Sequence, residues 1–116
     1  MDFRWHVFLA NLDPVVGSEQ GKTRPVLIIS HEEVNQLLSV LNAIPISSRK
    51  DYRNIYANEV LLKAGTAGLS RESIALCHQI RSIDKKRLIK QIGSIDDEVV
   101  QAEILGALSF QLGMKG

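Results

Sequence analysis

Most of the chain consists of short segments with the apolar composition of β-strands, and only its last part has the residue spacing of a long helix. From Val100 to Leu112, apolar residues recur at helical spacing, and Gly113 suits the position just after a helix. Five or six strands before a terminal helix predict a mainly β fold with helices (α+β), a small and strongly bent antiparallel barrel. The strand-like segments are residues 5–12, 25–29, 40–47, 55–62, 73–80 and 88–92.

Local polar residues predict where the helices begin. A capping-box pattern at residues 30–33 predicts a short helix whose Val34, Leu37 and Leu38 share a face. Ser94 is predicted to cap the terminal helix, with three acidic residues in its first turn, where they favour the helix dipole.

Composition excludes several classes of protein. The chain has 116 residues, of which 45% are hydrophobic and 23% charged, and no linker or repeat divides it, so we expect a single domain over residues 1–116. The one cysteine, Cys77, is predicted to be a packed strand residue, and the three histidines lack ligand spacing, so neither a metal nor a cofactor is expected. No apolar run approaches the roughly 18 residues of a membrane span, and residues 1–6 lack a signal-peptide start. We therefore expect a cytoplasmic protein without membrane contact.

Charge is unevenly distributed although the net charge is only +1. Residues 81–90 carry five basic side chains against one acid, whereas residues 96–103 carry four acids and no base. Such polarity can orient a polyanion on one face, and a solvated surface with locally paired charges is the alternative.

The most informative motif joins a long loop to a strand. Residues 13–23 contain a proline and two glycines but few core-forming residues, which predicts a long mobile loop. Arg24 closes this loop at the mouth of the next strand, so its guanidinium would have a fixed base and an open approach. Because the planar fork of a guanidinium matches phosphate oxygens bidentately, Arg24 is a candidate phosphate-binding residue, and an ordinary surface arginine is the alternative.

Three motifs together resemble the MazF/PemK toxin family. Its signature is Asn-Leu-Asp-Pro, then a Gly-Ser-Glu-Gln loop, then Arg-Pro-Val-Leu, as found here between residues 11 and 27. Residues 43–48, Ala-Ile-Pro-Ile-Ser-Ser, resemble the second motif, a strand ending in Thr or Ser, and residues 73–88 resemble the third. The motifs occur in the family's order between residues 5 and 92, which makes the resemblance specific.

The resemblance implies an SH3-like, CcdB/PemK-like barrel that forms a homodimer. It implies the toxin of a type II toxin–antitoxin system, an endoribonuclease that cleaves single-stranded RNA, including mRNA, at short sequence motifs without a metal. A cognate antitoxin would silence it by filling the RNA groove with a partly disordered segment. By position, Arg24 and Ser47 match the family's catalytic arginine and hydroxyl residue. The RNA contacts predicted with them are Ser18, Glu19 and Gln20 in the loop, the adjacent Lys22, and Gln79 on the strand that lines the groove.

The chemistry of such cleavage explains these residue types. The ribose 2′-OH attacks the adjacent phosphorus and expels the 5′-oxygen, which leaves a 2′,3′-cyclic phosphate and a 5′-hydroxyl end. Negative charge builds on the phosphoryl oxygens, so a preorganised cation and a hydroxyl donor are needed there. Arg24 would supply the cation and Ser47 the hydrogen bond. Because a guanidinium stays protonated at physiological pH, Arg24 suits a clamp or a proton donor better than a base.

The general base is not identified by this match. Some family members carry an acidic residue where this chain has His78, and an arginine where it has Leu76. An imidazole changes its protonation near neutral pH, so His78 is a candidate base, and a strand histidine bound to a carbonyl or water is the alternative. Alternation along a strand would place His78 and Gln79 on opposite faces unless a bulge intervenes.

A second loop interleaves cations with aromatic side chains. Bases can stack on tyrosine while cations meet phosphates, so the loop is predicted to bind RNA, and an ordinary exposed loop is the alternative. The residues concerned are Arg49, Lys50, Tyr52, Arg53 and Tyr56.

Two other functions stay open at the level of sequence. A CcdB-like toxin would inhibit a topoisomerase by binding alone, and the motif around Arg24 counts against it. A catalytically inactive RNA-binding module on the same fold is favoured by the missing acidic residue at position 78.

Overall fold

The computed structural model describes residues 1–114, which form seven antiparallel strands and two α-helices. Three single-turn 3-10 helices, at Thr66–Gly68, Cys77–Gln79 and Lys85–Arg87, connect some of them. The elements are β1 (His6–Asn11), β2 (Thr23–Ile28), α1 (Glu32–Leu37), β3 (Val40–Ser48), β4 (Glu59–Leu62), β5 (Ser73–Leu76), β6 (Arg81–Asp84), β7 (Leu88–Ser94) and α2 (Glu98–Leu112).

The strands form one bent sheet in the order β4-β5-β3-β2-β1-β7, and β6 pairs with β3 beside this path. The sheet is barrel-like in shape. Within residues 1–114 its two end strands, β4 and β7, do not pair with each other, so the barrel is not closed. This arrangement with its C-terminal helix confirms the predicted fold. In the same residues, neither helix is long and apolar enough to cross a membrane.

The long strand β3 holds the two halves of the sheet together. Its first residues, Val40–Ala43, pair with β6, and its last, Ile46–Ser48, pair with β5. Pro45 falls in the gap between these two partners, where a missing backbone N–H disturbs neither ladder. Strand β3 is therefore central in the sheet, and on the side away from β2 it changes its pairing partner at this proline.

Both faces of the central strands are covered. One cluster contains Val7, Leu27 and Ile44 and includes Ile104 of α2, while the opposite cluster is built on Phe8 and its neighbours. Because alternate residues of each strand enter different clusters, burial on both sides fixes the register of the strands that carry the candidate site.

The two helices begin at other residues than predicted. His31 caps α1, since its Nδ1 accepts from the Glu33 backbone N–H, and Val34, Leu37 and Leu38, which were predicted to share a face, are all exposed. Asp97 caps α2 through the Val99 backbone N–H, whereas Ser94 ends β7. The prediction for the C-terminal cap is confirmed, because Gly113 adopts a left-handed conformation with φ of 67°.

The strand predicted over residues 73–80 ends early, at Leu76. The 3-10 turn at Cys77–Gln79 interrupts the alternation of faces, so that buried Cys77 is followed by exposed His78. The chain then re-enters the sheet as β6, which was not predicted because its charged residues resemble those of a turn. The strand predicted over residues 55–62 is also shorter, with only Glu59–Leu62 in the sheet.

Candidate active site

Arg24 and Ser47 lie on neighbouring strands at the point where these strands separate. The pairing of β2 with β3 ends at Val26 and Pro45, and the same register two residues further along would bring Arg24 opposite Ser47. From Ile46 onward, however, β3 pairs with β5 instead. The divergence opens a cleft that both residues line.

Two cavities in this cleft share Arg24 and Ser47 among their lining residues. One, of about 350 Å³, extends over the 3-10 turn after β4 to Lys90 on β7. The other, of about 510 Å³, extends toward Gln20 and Lys50 in the two loops. The sequence prediction thus paired two residues that the fold brings to one place.

Arg24 is half-buried and is held by a single hydrogen bond. Its Nε–H donates to the backbone carbonyl of Gly21 at 2.8 Å, and its two Nη groups have no hydrogen-bond partner within residues 1–114. Because the guanidinium is planar, this bond restrains the plane of the fork and leaves the fork itself unpaired.

Three further cations line the cleft without an ion-pair partner among the described residues. Arg71 lines both cavities, Lys50 lines the larger one, and Lys90 lines the smaller one. All three side chains are exposed. Of these, Lys50 was predicted to contact RNA and Lys90 lies in the basic segment 81–90, whereas Arg71 was not predicted. Arg71 follows a turn of unremarkable composition, and nothing local in the sequence indicates that the turn folds against Ser47.

The loop between β1 and β2, residues 12–22, is attached to the rest of the molecule by polar contacts. Gln79 bridges it from the 3-10 turn, where its Oε1 accepts from the Gln20 N–H at 3.2 Å and its Nε2 donates to the Ser18 carbonyl at 3.1 Å. The carboxamide predicted to contact RNA is therefore engaged by the loop in this structure. The Oε1 of Gln20 is buried without a hydrogen-bond donor in residues 1–114.

The cationic segment at residues 81–90 also supports this loop. Arg81 donates to the Leu12 carbonyl at 3.2 Å, and Arg87 donates to the carbonyls of Asn11 and Asp13 at 3.1 and 2.5 Å. These two arginines therefore hold the loop through its backbone carbonyls.

The loop between β3 and β4, residues 49–58, is held by its own arginines. Arg53 forms a bidentate ion pair with Glu59 at 2.9 and 2.8 Å, and the Glu59 side chain is only 3% exposed. The hydrogen bonds from Arg53 lower the pKa of Glu59 and outweigh the opposing effect of its burial. Arg49 pairs with Glu72 at 2.9 Å and also donates to two carbonyls of the loop.

The tyrosines of the same loop remain available for contact. Tyr52 is 86% exposed and Tyr56 is 66% exposed. The guanidinium of Arg49 lies 5.9 Å from the ring centre of Tyr52, and that of Arg53 lies 5.7 Å from the ring centre of Tyr56. An arginine beside an open aromatic ring forms a platform on which a base can stack.

His78 lies outside the cleft that Arg24 and Ser47 line. It is exposed beside a separate cavity of about 320 Å³, together with Ser18, Glu19 and Gln79. The adjacent Cys77 is fully buried, and burial, with a smaller effect of Glu59, raises the pKa of its thiol to about 11. Cys77 is thus a packed residue, as predicted, and not an activated nucleophile.

The cleft therefore combines cations with hydroxyl groups. Thr23, Ser47 and Ser48 contribute hydroxyl-bearing side chains to its lining. Residues 1–114 contain no group of three or more His, Cys, Asp or Glu side chains placed to hold a metal ion. An unpaired guanidinium fork beside hydroxyl donors suits a phosphodiester on which negative charge increases during reaction.

Comparison with known proteins agrees with this geometry. Residues 3–111 match a family model described as the PemK-like, MazF-like toxin of type II toxin–antitoxin systems. The chain is also 38% identical over 97 residues to endoribonuclease EndoA of Bacillus subtilis (strain 168), an alignment that covers 84% of this chain and 83% of that protein.

Solved structures show the same similarity. MazF from Deinococcus radiodurans aligns with a TM-score of 0.81 and 32% identity over 97% of this chain and 96% of that one. A MazE–MazF structure from the same organism aligns with a TM-score of 0.74 and 32% identity over the same shares of the two chains. The family resemblance and the fold predicted from the sequence are both confirmed.

Proposed function

The chain belongs to the PemK-like, MazF-like family of toxins of type II toxin–antitoxin systems and has endoribonuclease activity, and we propose that Arg24 and Ser47 carry this activity. The substrate is single-stranded RNA, including mRNA, cut at short sequence motifs. One observation supports this assignment above the others: the unpaired fork of Arg24 and the hydroxyl-bearing Ser47 line the same two cavities.

The proposed reaction is a transesterification within the RNA. The 2′-hydroxyl loses its proton to solvent as its oxygen bonds to phosphorus, the bond to the 5′-oxygen breaks, and the departing oxygen gains a proton to become a 5′-hydroxyl. Charge that builds on the phosphoryl oxygens is stabilised by the guanidinium of Arg24 and a hydrogen bond from Ser47. Because the cleft offers cations and hydroxyls, this scheme needs no metal.

The remaining predicted residues are assigned to RNA contact. Lys50, and with it Arg71 and Lys90, would attract phosphates on either side of the bond that is cut. Gln20, which lines the larger cavity, is also assigned to RNA contact. We place Tyr52, Tyr56, Ser18, Glu19 and Lys22 among the groups that meet the bases or backbone, and His78 with them rather than in proton transfer.

Arg49, Arg53 and Gln79 hold the two loops that present these contacts. Their side chains are engaged within the protein, so we propose that they act on RNA indirectly, through the shape of the loops.

The partners follow from the family. We propose that the chain works in the cytoplasm as a homodimer and that a cognate antitoxin silences it. An acidic, partly disordered segment of that antitoxin would occupy the cationic cleft, in competition with RNA. Titration of the antitoxin into a toxin–RNA complex should release the RNA, and simultaneous tight binding of both would contradict this proposal.

The decisive test is the chemistry of the cleaved ends. Purified protein is incubated with a mixed single-stranded RNA in excess EDTA, and the products are expected to carry 5′-hydroxyl and 2′,3′-cyclic phosphate ends. A single 2′-deoxy substitution at the cut site should block cleavage, with deoxy substitution of a distant nucleotide as the control. Products with 5′-phosphate ends, or cleavage at the 2′-deoxy site, would refute the mechanism.

A further inference from the structure

We propose that Gln79 is a positioning residue, which clasps the β1–β2 loop and thereby orients the guanidinium of Arg24. The inference rests on the proposed role of Arg24 in RNA cleavage. It gives Gln79 a task distinct from the RNA contact predicted for it from the sequence.

The clasp uses both ends of one carboxamide. Gln79 accepts from the Gln20 N–H at 3.2 Å and donates to the Ser18 carbonyl at 3.1 Å, so it engages the backbone on either side of Glu19. Its own backbone lies in the 3-10 turn that begins with fully buried Cys77. An anchored turn thus holds a loop that is about sixty residues away in the sequence.

Gly21, the next residue, is restrained on both sides. Gln20 before it is bonded to Gln79. After it, the Lys22 N–H donates to Asp13 Oδ1 at 2.8 Å, and the Lys22 carbonyl accepts from the Leu12 N–H at 2.8 Å. The backbone packs so closely that a Cβ on Gly21 would lie 2.6 Å from Asp13 Oδ1 and 2.7 Å from Val15 Cγ2. With Gln20 clasped on one side and Lys22 bonded on the other, the Gly21 carbonyl has little freedom to move.

That carbonyl is the only hydrogen-bond partner of the Arg24 side chain within residues 1–114, at 2.8 Å from Nε. The position of the carbonyl therefore sets the plane in which the fork meets a phosphate. Loss of the clasp would free Gln20, so that the Gly21 carbonyl is restrained only on the side of Lys22 and can shift. Displacements of about 1 Å at a group that stabilises a transition state cost up to a hundredfold in rate.

The test compares Gln79→Ala with Gln79→Glu and with a control, Gln91→Ala. Glutamate at position 79 can still accept from the Gln20 N–H but cannot donate to the Ser18 carbonyl, so it keeps half of the clasp. Gln91 is an exposed glutamine on β7 that lines a different cavity, beside Phe3 and Phe8. Thermal unfolding of all the variants establishes that they remain folded.

Two kinds of measurement are made on each protein. Nuclear magnetic resonance on 15N-labelled protein gives the hydrogen exchange of the Gln20 amide and of the Arg24 Nε–H. Cleavage of a single-site RNA oligonucleotide gives kcat and KM. For Gln79→Ala we expect both protons to exchange about tenfold faster or more and kcat to fall about tenfold, with KM within about threefold of wild type.

Gln79→Glu should lie between wild type and Gln79→Ala, and Gln91→Ala should match wild type. An unchanged exchange rate of the Arg24 Nε–H in Gln79→Ala would overturn the inference. A raised KM with an unchanged kcat would also overturn it, because that result indicates direct contact of Gln79 with RNA. Failure of the wild-type protein to cleave RNA would instead refute the proposed function, and the exchange rates would still decide whether the clasp restrains Arg24.

Discussion

The β1–β2 and β3–β4 loops both carry residues typical of RNA binding, yet they are held in opposite ways. The first loop is fastened by side chains from elsewhere, chiefly Gln79, Arg81 and Arg87, and the arginine that follows it keeps an unpaired fork. The second loop is fastened by its own Arg49 and Arg53, whose guanidinium groups pair with carboxylates.

The difference shows that the position of the nearest carboxylate decides what an arginine does. Arg53 has Glu59 within reach, so its charge stabilises the fold and is no longer free for a ligand. Within the described part of the chain, the Arg24 side chain bonds only to a backbone carbonyl, which fixes its orientation without neutralising its charge. We expect the first kind of arginine to affect folding and the second to affect chemistry.

Among the hydroxyl-bearing residues of the cleft, the largest effect is expected at Ser47. If its hydroxyl donates to the phosphoryl oxygens, Ser47→Ala should slow cleavage about a hundredfold or more, at an unchanged free energy of unfolding. Single-turnover rates at saturating RNA measure this loss. Ser47→Thr, which restores the hydroxyl, should recover most of the activity.

Ser48 provides the matched control, since it is the next residue on β3 and also lines both cavities. Ser48→Ala should cost far less than Ser47→Ala. Equal losses for the two serines would mean that the cleft needs polarity in general and not a hydroxyl at position 47.

A smaller effect on binding is expected at Arg71, which has no ion-pair partner within residues 1–114. Arg71→Ala should raise KM about tenfold with little change in kcat, because it removes one phosphate contact but no transition-state donor. The slope of log affinity against log salt, measured on uncleavable RNA, should fall by about 0.7, the value for one phosphate on a single strand. An unchanged slope would remove Arg71 from the RNA path.

The smallest effect is an acid dependence of stability in the second loop. The pKa of Glu59 is lowered in the folded state, mainly by Arg53, so its contribution to stability is present above the unfolded value of 4.5 and is lost as the pH falls below it. Urea unfolding across about pH 3 to 7 should show this loss, and Arg53→Met should reduce it, because burial then raises the pKa of Glu59.

Glu32 contributes a second acid dependence of stability, which is the same in wild type and in Arg53→Met. Burial alone would raise the pKa of Glu32, but hydrogen bonds from the Arg4 N–H and its neighbours lower it to about 2. Its contribution is also lost in acid, equally in both proteins. An identical pH dependence in wild type and Arg53→Met would therefore show that the Arg53–Glu59 pair does not contribute.

Local sequence predicts much of this fold because strands and the terminal helix depend on nearby residues. The first strand and the cap at Gly113 are of this kind. Strand β6 was missed because its polar residues are compensated by pairing with β3, a contact about forty residues away. Exposed Leu37 shows the converse, since an apolar face forms only where a partner packs against it.

The candidate site was predicted only as far as the family motifs reach. Arg24 and Ser47 came from matching motifs, and the divergence of β2 from β3 explains why both line one cleft. The ion pair of Arg53 with Glu59 and the clasp of Gln79 on the loop are tertiary contacts that composition does not indicate. A loop rich in cations and tyrosines looks the same in sequence whether its cations are free or paired.

One paired measurement tests the central claim most directly: cleavage rate and free energy of unfolding, both determined for Arg24→Ala and for Arg53→Met. Arg24→Ala should cleave about a hundredfold more slowly or worse with an unchanged unfolding free energy. Arg53→Met should lose about 2 kcal/mol of stability by leaving Glu59 unpaired, yet cleave saturating RNA within about threefold of the wild-type rate. If Arg24→Ala instead cleaves at the wild-type rate, or if Arg53→Met is the variant that loses catalysis while remaining as stable as wild type, the account is contradicted.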